Sequence, residues 1–428
     1  MLALRGTVEG FYGPPWTHEQ RLDHLRFSAQ VGLNSYVYAP KNDPFHRDRW
    51  REPYPAAELA QLGELARAAA AAGIRFGYAI SPALSMRFGD DAEHAALTAK
   101  CEQLWDAGIR SFALFFDDVP PELPSSEDVA RYGAGPAGSG AAHGECARRF
   151  AEGFLAGHGV DEPLLVCPTD YAGIDPSPYR DALAEAAPPD ALIAWTGRDI
   201  VVGEITRADI DAASASYRRR LVLWDNFPVN DFDPARVFLG PLTGRPADLA
   251  GAPMEGVLAN PMVQAVPSRI ALATVADWAR DPSAYDPAAS ARAALLRVAD
   301  ASASALAPLV RACSAWPPSA DQDPELTRAT TDALAGDAAA LDVVAARLQE
   351  LADGCWAAVE PAELVEPLRP WLDAAITTAM AGLAAVRLLR GEVAARDEAE
   401  RALSEVEAQP AHVLQPIVAP FVRAAIRR

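Results

Sequence analysis

The chain has 428 residues, half of them apolar, with 38 Lys and Arg against 58 Asp and Glu, a formal net charge of -20. That length allows two or three domains and a large core. That charge argues against a nucleic-acid backbone or an anionic membrane as the main partner, because both require clustered cations.

The chain alternates short apolar runs with helical patterns from residue 2 onward. The first run, LALRGTVEGFYG, leads into WTHEQRLDHLRFSAQVG, which opens with Thr17 and Gln20 at capping-box spacing and stops at Gly32. SYVYAP is followed by PAAELAQLGELARAAAAAG, entered at Pro55 and left at Gly73. RFGYAI precedes DAEHAALTAKCEQLWDAG, which ends at Gly108. The fourth run, SFALFFDD, carries an apolar strand pattern straight into Asp117 and Asp118. The Gly-rich RYGAGPAGSGAAHG beyond it is too long for a plain connection. It is expected as a loop, either a lid beside the two aspartates or a tolerated insertion.

PLLVCPTDY, ALIAWTG, LVLWDNFP and GVLANP complete eight runs. Helical segments SPYRDALAEAAPP, ITRADIDAASASYRRR and SRIALATVADWARD follow the fifth, sixth and eighth. The seventh crossover, about residues 229–255, is expected to hold only a short helix. Alternating strand and helix implies parallel strands with right-handed crossovers. Eight such units predict an α/β fold, a (β/α)8 TIM barrel over residues 1–282. A doubly wound sheet is the runner-up, disfavoured by the lack of a Gly-rich dinucleotide turn. From residue 283 to 428 the chain turns Ala-rich with apolar residues at i, i+3, i+4 and i+7, which predicts an all-α helical bundle with PPSADQDP as an internal loop.

Five cysteines, Cys101, Cys146, Cys167, Cys313 and Cys355, are far apart and odd in number, with no CxxC. They suit a reduced compartment. MLALRGTVEGFYG lacks the charged and apolar regions of a signal peptide, and no stretch approaches about 20 uninterrupted apolar residues. A cytoplasmic protein without a membrane or nucleic-acid partner is expected. The seven histidines are scattered and HExxH is absent, so no metal site is expected.

In such a barrel the C-terminal strand ends converge on one mouth. These ends offer Glu9, Gly10, Phe11 and Tyr12; Tyr38, Lys41, Asn42 and Asp43; Tyr78 and Ser81; Asp117 and Asp118; Thr169, Asp170 and Tyr171; Trp195, Thr196 and Arg198; Trp224, Asp225, Asn226, Asn230 and Asp231; and Asn260. Aromatic walls with carboxylates and amides suit a sugar pocket, where rings stack and hydroxyls need directed hydrogen bonds. Each residue also has a bland reading. Glu9 pairs with a buried arginine, Tyr12 and Trp16 pack the first helix, Lys41 is an exposed loop charge, and Trp195 and Trp224 are core. Two other functions stay open at this point. One is a metal-dependent barrel built on Glu9, Asp117, Asp170 and Asp225. The other is a sugar-binding module without catalysis.

The motifs GTVEGFYGPPW, NSYVYAPKNDPFHRDRWREPY, YAISP, FALFFDD, CPTDYAG, WTGRDIV, LWDNFPVNDFD, LGPLTGR and LANPM run in order across nearly all of residues 5–290. Together they resemble glycoside hydrolase family 84, the β-N-acetylglucosaminidases that include protein O-GlcNAcases. Bacterial members often carry a further α/β domain before the barrel, which begins at once here, and Ala83 stands where the family often has Gly.

The resemblance implies a barrel followed by helices, and a retaining exo-β-N-acetylglucosaminidase that removes terminal β-linked GlcNAc through an oxazoline. It implies that Asp117 orients and polarises the 2-acetamido group and that Asp118 is the general acid and then the general base. Tyr171 hydrogen-bonds in the acetamido pocket, and Thr196 and Trp224 wall it. Gly10, Lys41, Asp231 and Asn260 hold sugar hydroxyls, and Asn226 contacts the reacting centre. Neighbouring strand residues diverge, and close carboxylates split their pKa values, so the pair can take two roles. The substrate implied is a GlcNAc-bearing glycoside or glycoprotein, with no cofactor. An endo-acting, hyaluronan-type hydrolase is an alternative, and dimerisation through the helices, as in some relatives, is left open.

Overall fold

The computed structural model describes residues 1–428. Eight strands, β1 Leu4–Glu9, β2 Ser35–Tyr38, β3 Arg75–Ile80, β4 Ser111–Phe115, β5 Leu165–Cys167, β6 Leu192–Trp195, β7 Leu221–Asp225 and β8 Met254–Ala259, form a closed barrel in sequence order. Neighbours are parallel, and β8 closes on β1 with Leu4 opposite Gly256. The barrel interior is filled by Val8, Val37, Ala113, Phe115, Cys167, Val222, Trp224 and Leu258, among others. It is therefore a packed core that leaves chemistry to the strand ends.

The first three crossovers are α1 His18–Val31, α2 Ala56–Ala71 and α3 Asp91–Asp106. Thr17 and Gln20 form the capping box read in the sequence, and Gly32 ends α1 at φ 86°. The fourth crossover departs from expectation. The Gly-rich stretch read as a loop is helical: α4 Ser126–Tyr132 is followed by α5 Gly135–Phe150, with Pro136 in its first turn. Two of the glycines, Gly140 and Gly144, lie where α6 Pro178–Ala186 closes in. A Cβ on Gly140 would sit 2.2 Å from the Tyr179 carbonyl oxygen, and one on Gly144 would sit 2.7 Å from Ala186 Cβ. Glycine costs about 1 kcal/mol in a helix. Close helix packing offsets that cost, a benefit that local propensity does not register.

α7 Arg207–Tyr217 follows β6. The seventh crossover holds only a 3-10 turn at Ala247–Gly251. The eighth helix is α8 Ala265–Arg280.

The chain divides into two compact units. The first comprises Met1–Phe227, Thr243–Val263 and Val275–Tyr285, and the second Pro228–Leu242, Gln264–Thr274 and Asp286–Arg428. The second therefore gathers part of the seventh crossover and the first half of α8 with the C-terminal helices. A division at residues 282 and 283 separates strand–helix alternation from continuous helix, and packing does not follow it.

Within the second unit, α9 Pro287–Ala299, α10 Ala303–Ala312, α11 Pro324–Leu334, α12 Ala338–Ala357, α13 Ala362–Leu389, α14 Arg396–Ala408 and α15 Gln415–Ile426 form a bundle. The long α13 packs against α12, α14 and α15. It buries Leu364, Leu368, Trp371, Leu372 and a run of alanines. Gly336, at φ 102°, breaks what reads as one helix into α11 and α12, and the Asp337 side chain caps the second piece.

By length and composition, Pro287–Ala312 and Ala362–Leu389 are apolar enough to cross a bilayer, which counting only uninterrupted apolar residues misses. Within the protein, 44% and 56% of their most apolar windows are buried, as core helices of a bundle are.

Candidate active site

Strand β4 delivers the two aspartates. Phe116 extends the strand, its N–H donating to the Cys167 carbonyl at 2.8 Å. Asp117 then lies buried at 4% exposure. Asp118 leaves the strand with φ 53°, a left-handed conformation rare for a residue with a Cβ.

Lys41, which directly follows the Ala39–Pro40 exit from β2, donates to Asp117 Oδ2. Both side chains are shielded from solvent, so Lys41 is not the exposed loop charge of the bland reading. Burial alone would push the Asp117 carboxyl up. The Lys41 ammonium and its hydrogen bond, helped by Arg47 and His46, outweigh burial and hold the carboxyl below the usual carboxylate range. Burial opposes the charge on Lys41 in the same way, and the Asp117 and Asp118 carboxylates outweigh it to raise the ammonium. Asp117 Oδ1 is buried without a partner.

Asp118 meets different groups. Tyr171 donates to its Oδ1 at 2.8 Å and Tyr12 to its Oδ2 at 2.9 Å. Lys41 Nζ stands 3.7 Å from Oδ2. Arg47 Nη2 donates to the Asp118 main-chain oxygen at 2.8 Å.

A second chain of bonds joins the ends of β1, β7 and β8. Trp224 Nε1 and Asn260 Nδ2 both donate to Asn226 Oδ1 at 3.0 Å. The Gly10 N–H donates to Asn260 Oδ1 at 3.3 Å, and Asn226 Nδ2 to the Ile200 carbonyl at 2.8 Å. Residue 10 is glycine for a spatial reason, since a Cβ there would lie 2.4 Å from Trp224 Cζ2. Lys41 Nζ joins the two networks, 5.9 Å from the Trp224 ring and 5.8 Å from the Tyr12 ring.

The structure thus brings Asp117, Asp118, Lys41 and Tyr171 into one network and Gly10, Trp224, Asn226 and Asn260 into another beside it. Thr196 acts locally. Its N–H donates to the Tyr171 carbonyl at 3.1 Å and its hydroxyl to the Asp199 carbonyl at 3.0 Å. Asp231 belongs to the Pro228–Leu242 segment of the second unit.

The carboxylates of the metal-barrel alternative do not converge. Glu9 is gripped by Arg21 at 2.7 and 2.8 Å and by Tyr36. Asp225 pairs with Arg245 through two bonds of 2.9 Å, and Asp170 with Arg180 at 3.0 Å. The bland reading of Glu9 is the one the geometry supports. Two further residues reach Asp118: Tyr12, one of the strand-end residues expected at the mouth, and Arg47, which the sequence does not single out. Tyr12 stands at the β1 end, where its position is the only signal. Arg47 acts on a peptide oxygen, which no spacing announces.

A parallel barrel with a pair of carboxylates at its C-terminal mouth is an architecture of glycoside hydrolases. The chain belongs to the beta-N-acetylglucosaminidase family, glycoside hydrolase family 84, whose model matches residues 5–311. It is 37% identical over 281 residues to the protein O-GlcNAcases of Rattus norvegicus and Mus musculus. That alignment takes in 64% of this chain and only 30% of the rodent proteins. Two solved structures are similar along its whole length. CpGH84B has a TM-score of 0.90 at 28% identity, covering 99% of this chain and 77% of that one. A mutant of the Thermobaculum terrenum O-GlcNAc hydrolase has a TM-score of 0.91 at 27% identity, covering 100% and 95%.

Proposed function

We propose that this protein is a retaining, exo-acting β-N-acetylglucosaminidase that removes terminal β-linked GlcNAc with help from the sugar's own 2-acetamido group. The observation that carries this reading is the different surroundings of two sequence neighbours. Asp117 is kept ionised by buried Lys41 and keeps Oδ1 free of any protein partner. Asp118 is less buried and is held by two phenols. The names of the relatives, O-GlcNAcase and O-GlcNAc hydrolase, support the choice of sugar.

In the first step the acetamido oxygen bonds to C1 as the glycosidic C1–O bond breaks, and Asp118 passes its proton to the departing oxygen. Asp117 Oδ1 accepts the acetamido N–H and offsets the positive charge that develops on the forming oxazoline. In the second step Asp118 takes a proton from water, whose oxygen bonds to C1 and releases the acetamido oxygen. Two inversions at C1 give net retention. Here the substrate's amide takes the place of the protein nucleophile in the usual retaining arrangement.

The test is a set of aryl β-N-acetylglucosaminides whose acetyl group carries none to three fluorines. Rates should fall steeply as the carbonyl oxygen loses basicity, and NMR of the first-formed sugar should show the β-anomer. A flat series, or a sugar ester trapped on a protein carboxylate, would refute the reading.

A further inference from the structure

Asp118 is one of four non-glycine residues with a positive φ, at 53°. A residue with a Cβ occupies the left-handed region at a cost of about 1–2 kcal/mol, so neighbouring groups must hold it there. On the side-chain end, Tyr12 and Tyr171 bind the carboxylate. On the backbone end, Arg47 Nη2 binds the carbonyl at 2.8 Å.

Arg47 is itself well anchored. It is 7% exposed. Its neighbour His46 is tied to β3 through Nδ1 and the Ala79 carbonyl at 2.6 Å, and the Ser81 N–H donates to the His46 carbonyl at 2.9 Å. Arg245 is engaged differently. It uses all three guanidinium nitrogens and pairs with Asp225. Arg47 bonds a peptide oxygen and leaves Nη1 buried without a partner.

We propose that Arg47 is a positioning residue for Asp118: by holding its carbonyl, Arg47 fixes the left-handed peptide that brings the carboxylate to Tyr12 and Tyr171. The role rests on the reading of Asp118 as proton carrier. Arg47 also adds to the positive charge that keeps Asp117 ionised, after Lys41. One side chain therefore serves both acids, one by charge and the other by geometry.

The test compares Arg47→Met and Arg47→Lys with wild type in the full chain, on a 4-nitrophenyl and on an alkyl β-N-acetylglucosaminide. A misaimed acid matters most where the leaving group needs its proton. Arg47→Met should lose on the order of 100-fold in kcat/KM on the alkyl glycoside and less than about fivefold on the nitrophenyl one, because kcat/KM reports the first step, where the departing oxygen needs the proton. Arg47→Lys, which keeps a charge and a donor, should recover much of the loss. Equal losses on both substrates overturn the proposal, because a general structural defect spares neither. If Arg47→Met does not fold, Arg47→Lys carries the same comparison with a smaller ratio. A crystal structure of the variant decides independently of turnover. Asp118 should leave the left-handed region or drop a phenol contact, and an unchanged Asp118 overturns the assignment. A wild type that cleaves neither glycoside would sink the proposed function, while the crystallographic comparison still decides Arg47.

Discussion

Tyr171 donates its hydroxyl to Asp118 Oδ1 at 2.8 Å. Burial first, and then the negative charge of Asp118, push the Tyr171 phenol far above its ordinary value, so it stays a donor at every working pH. Tyr171→Phe removes that donor with little change in shape. The variant should lose about 100-fold or more in kcat, in line with the loss of one preorganised donor, and should melt near the wild-type temperature. Wild-type kcat in steady-state assays would show that the contact does nothing for turnover.

The Lys41–Asp117 pair predicts a pH-dependent stability difference. The folded pKa of Asp117 is below the ordinary aspartate value of 3.8, so its contribution is present above that value and lost as pH falls through the lower folded one. The folded pKa of Lys41 is above 10.5, so its contribution is full below that value and lost as pH rises through the raised one. Lys41→Met strands a buried carboxylate and should cost about 3–5 kcal/mol at neutral pH. In the variant burial is no longer outweighed and pushes the Asp117 carboxyl up, so it takes a proton and the deficit shrinks as pH falls. Urea unfolding from pH 4 to pH 8 measures it, and a deficit constant across that range contradicts the assignment.

Gly10→Ala should disturb Trp224. The added methyl meets the indole at 2.4 and 2.8 Å, so the ring has to tilt and give up its bond to Asn226. Displacing a wall of the site by such a distance should lower kcat/KM on the order of 100-fold, with a stability cost of about 1–3 kcal/mol. Kinetics combined with thermal melts separate the two effects, and unaltered kinetics would mean that the pocket yields freely.

Gly140→Ala tests the helix that the sequence disguises. Ala gains about 1 kcal/mol of helix propensity. The clash with the Tyr179 carbonyl at 2.2 Å involves backbone, which has little room to yield, and should outweigh that gain. Gly153→Ala, where a Cβ meets nothing within 4 Å, is the control. The melting temperature should fall for the first variant and hold or rise for the second; the reverse order would remove the packing explanation for the glycines.

Much of the barrel was legible because each strand is an apolar run bounded by helix caps, and period and punctuation are local properties. The acid pair was legible for a related reason, since Asp117 and Asp118 end the apolar FALFF run. What escaped depends on partners far away in sequence. Gly140 and Gly144 read as loop because their benefit lies in α6, about 40 residues on. Arg47 was invisible as a functional group because its target is a peptide oxygen 71 positions later. Tyr12 reads both as a residue of the barrel mouth and, with Trp16, as packing for the first helix, and the structure separates the two. The indole N–H of Trp16 goes to main-chain carbonyls at Met262 and Val263, while the Tyr12 hydroxyl goes to Asp118.

The polypeptide passes between its two compact units five times, after Phe227, Leu242, Val263, Thr274 and Tyr285. No single scission of the main chain can release either unit whole. A fragment ending near residue 282 would keep every barrel strand yet carry two orphaned segments, Pro228–Leu242 and Gln264–Thr274, whose apolar side chains Val237, Phe238, Leu239 and Ile270 are buried in the intact chain. Such a fragment would be prone to clump, and the complementary C-terminal piece would start with gaps in its interior. Recombination that swaps helical tails between homologues therefore has to carry these inserts along with the tail.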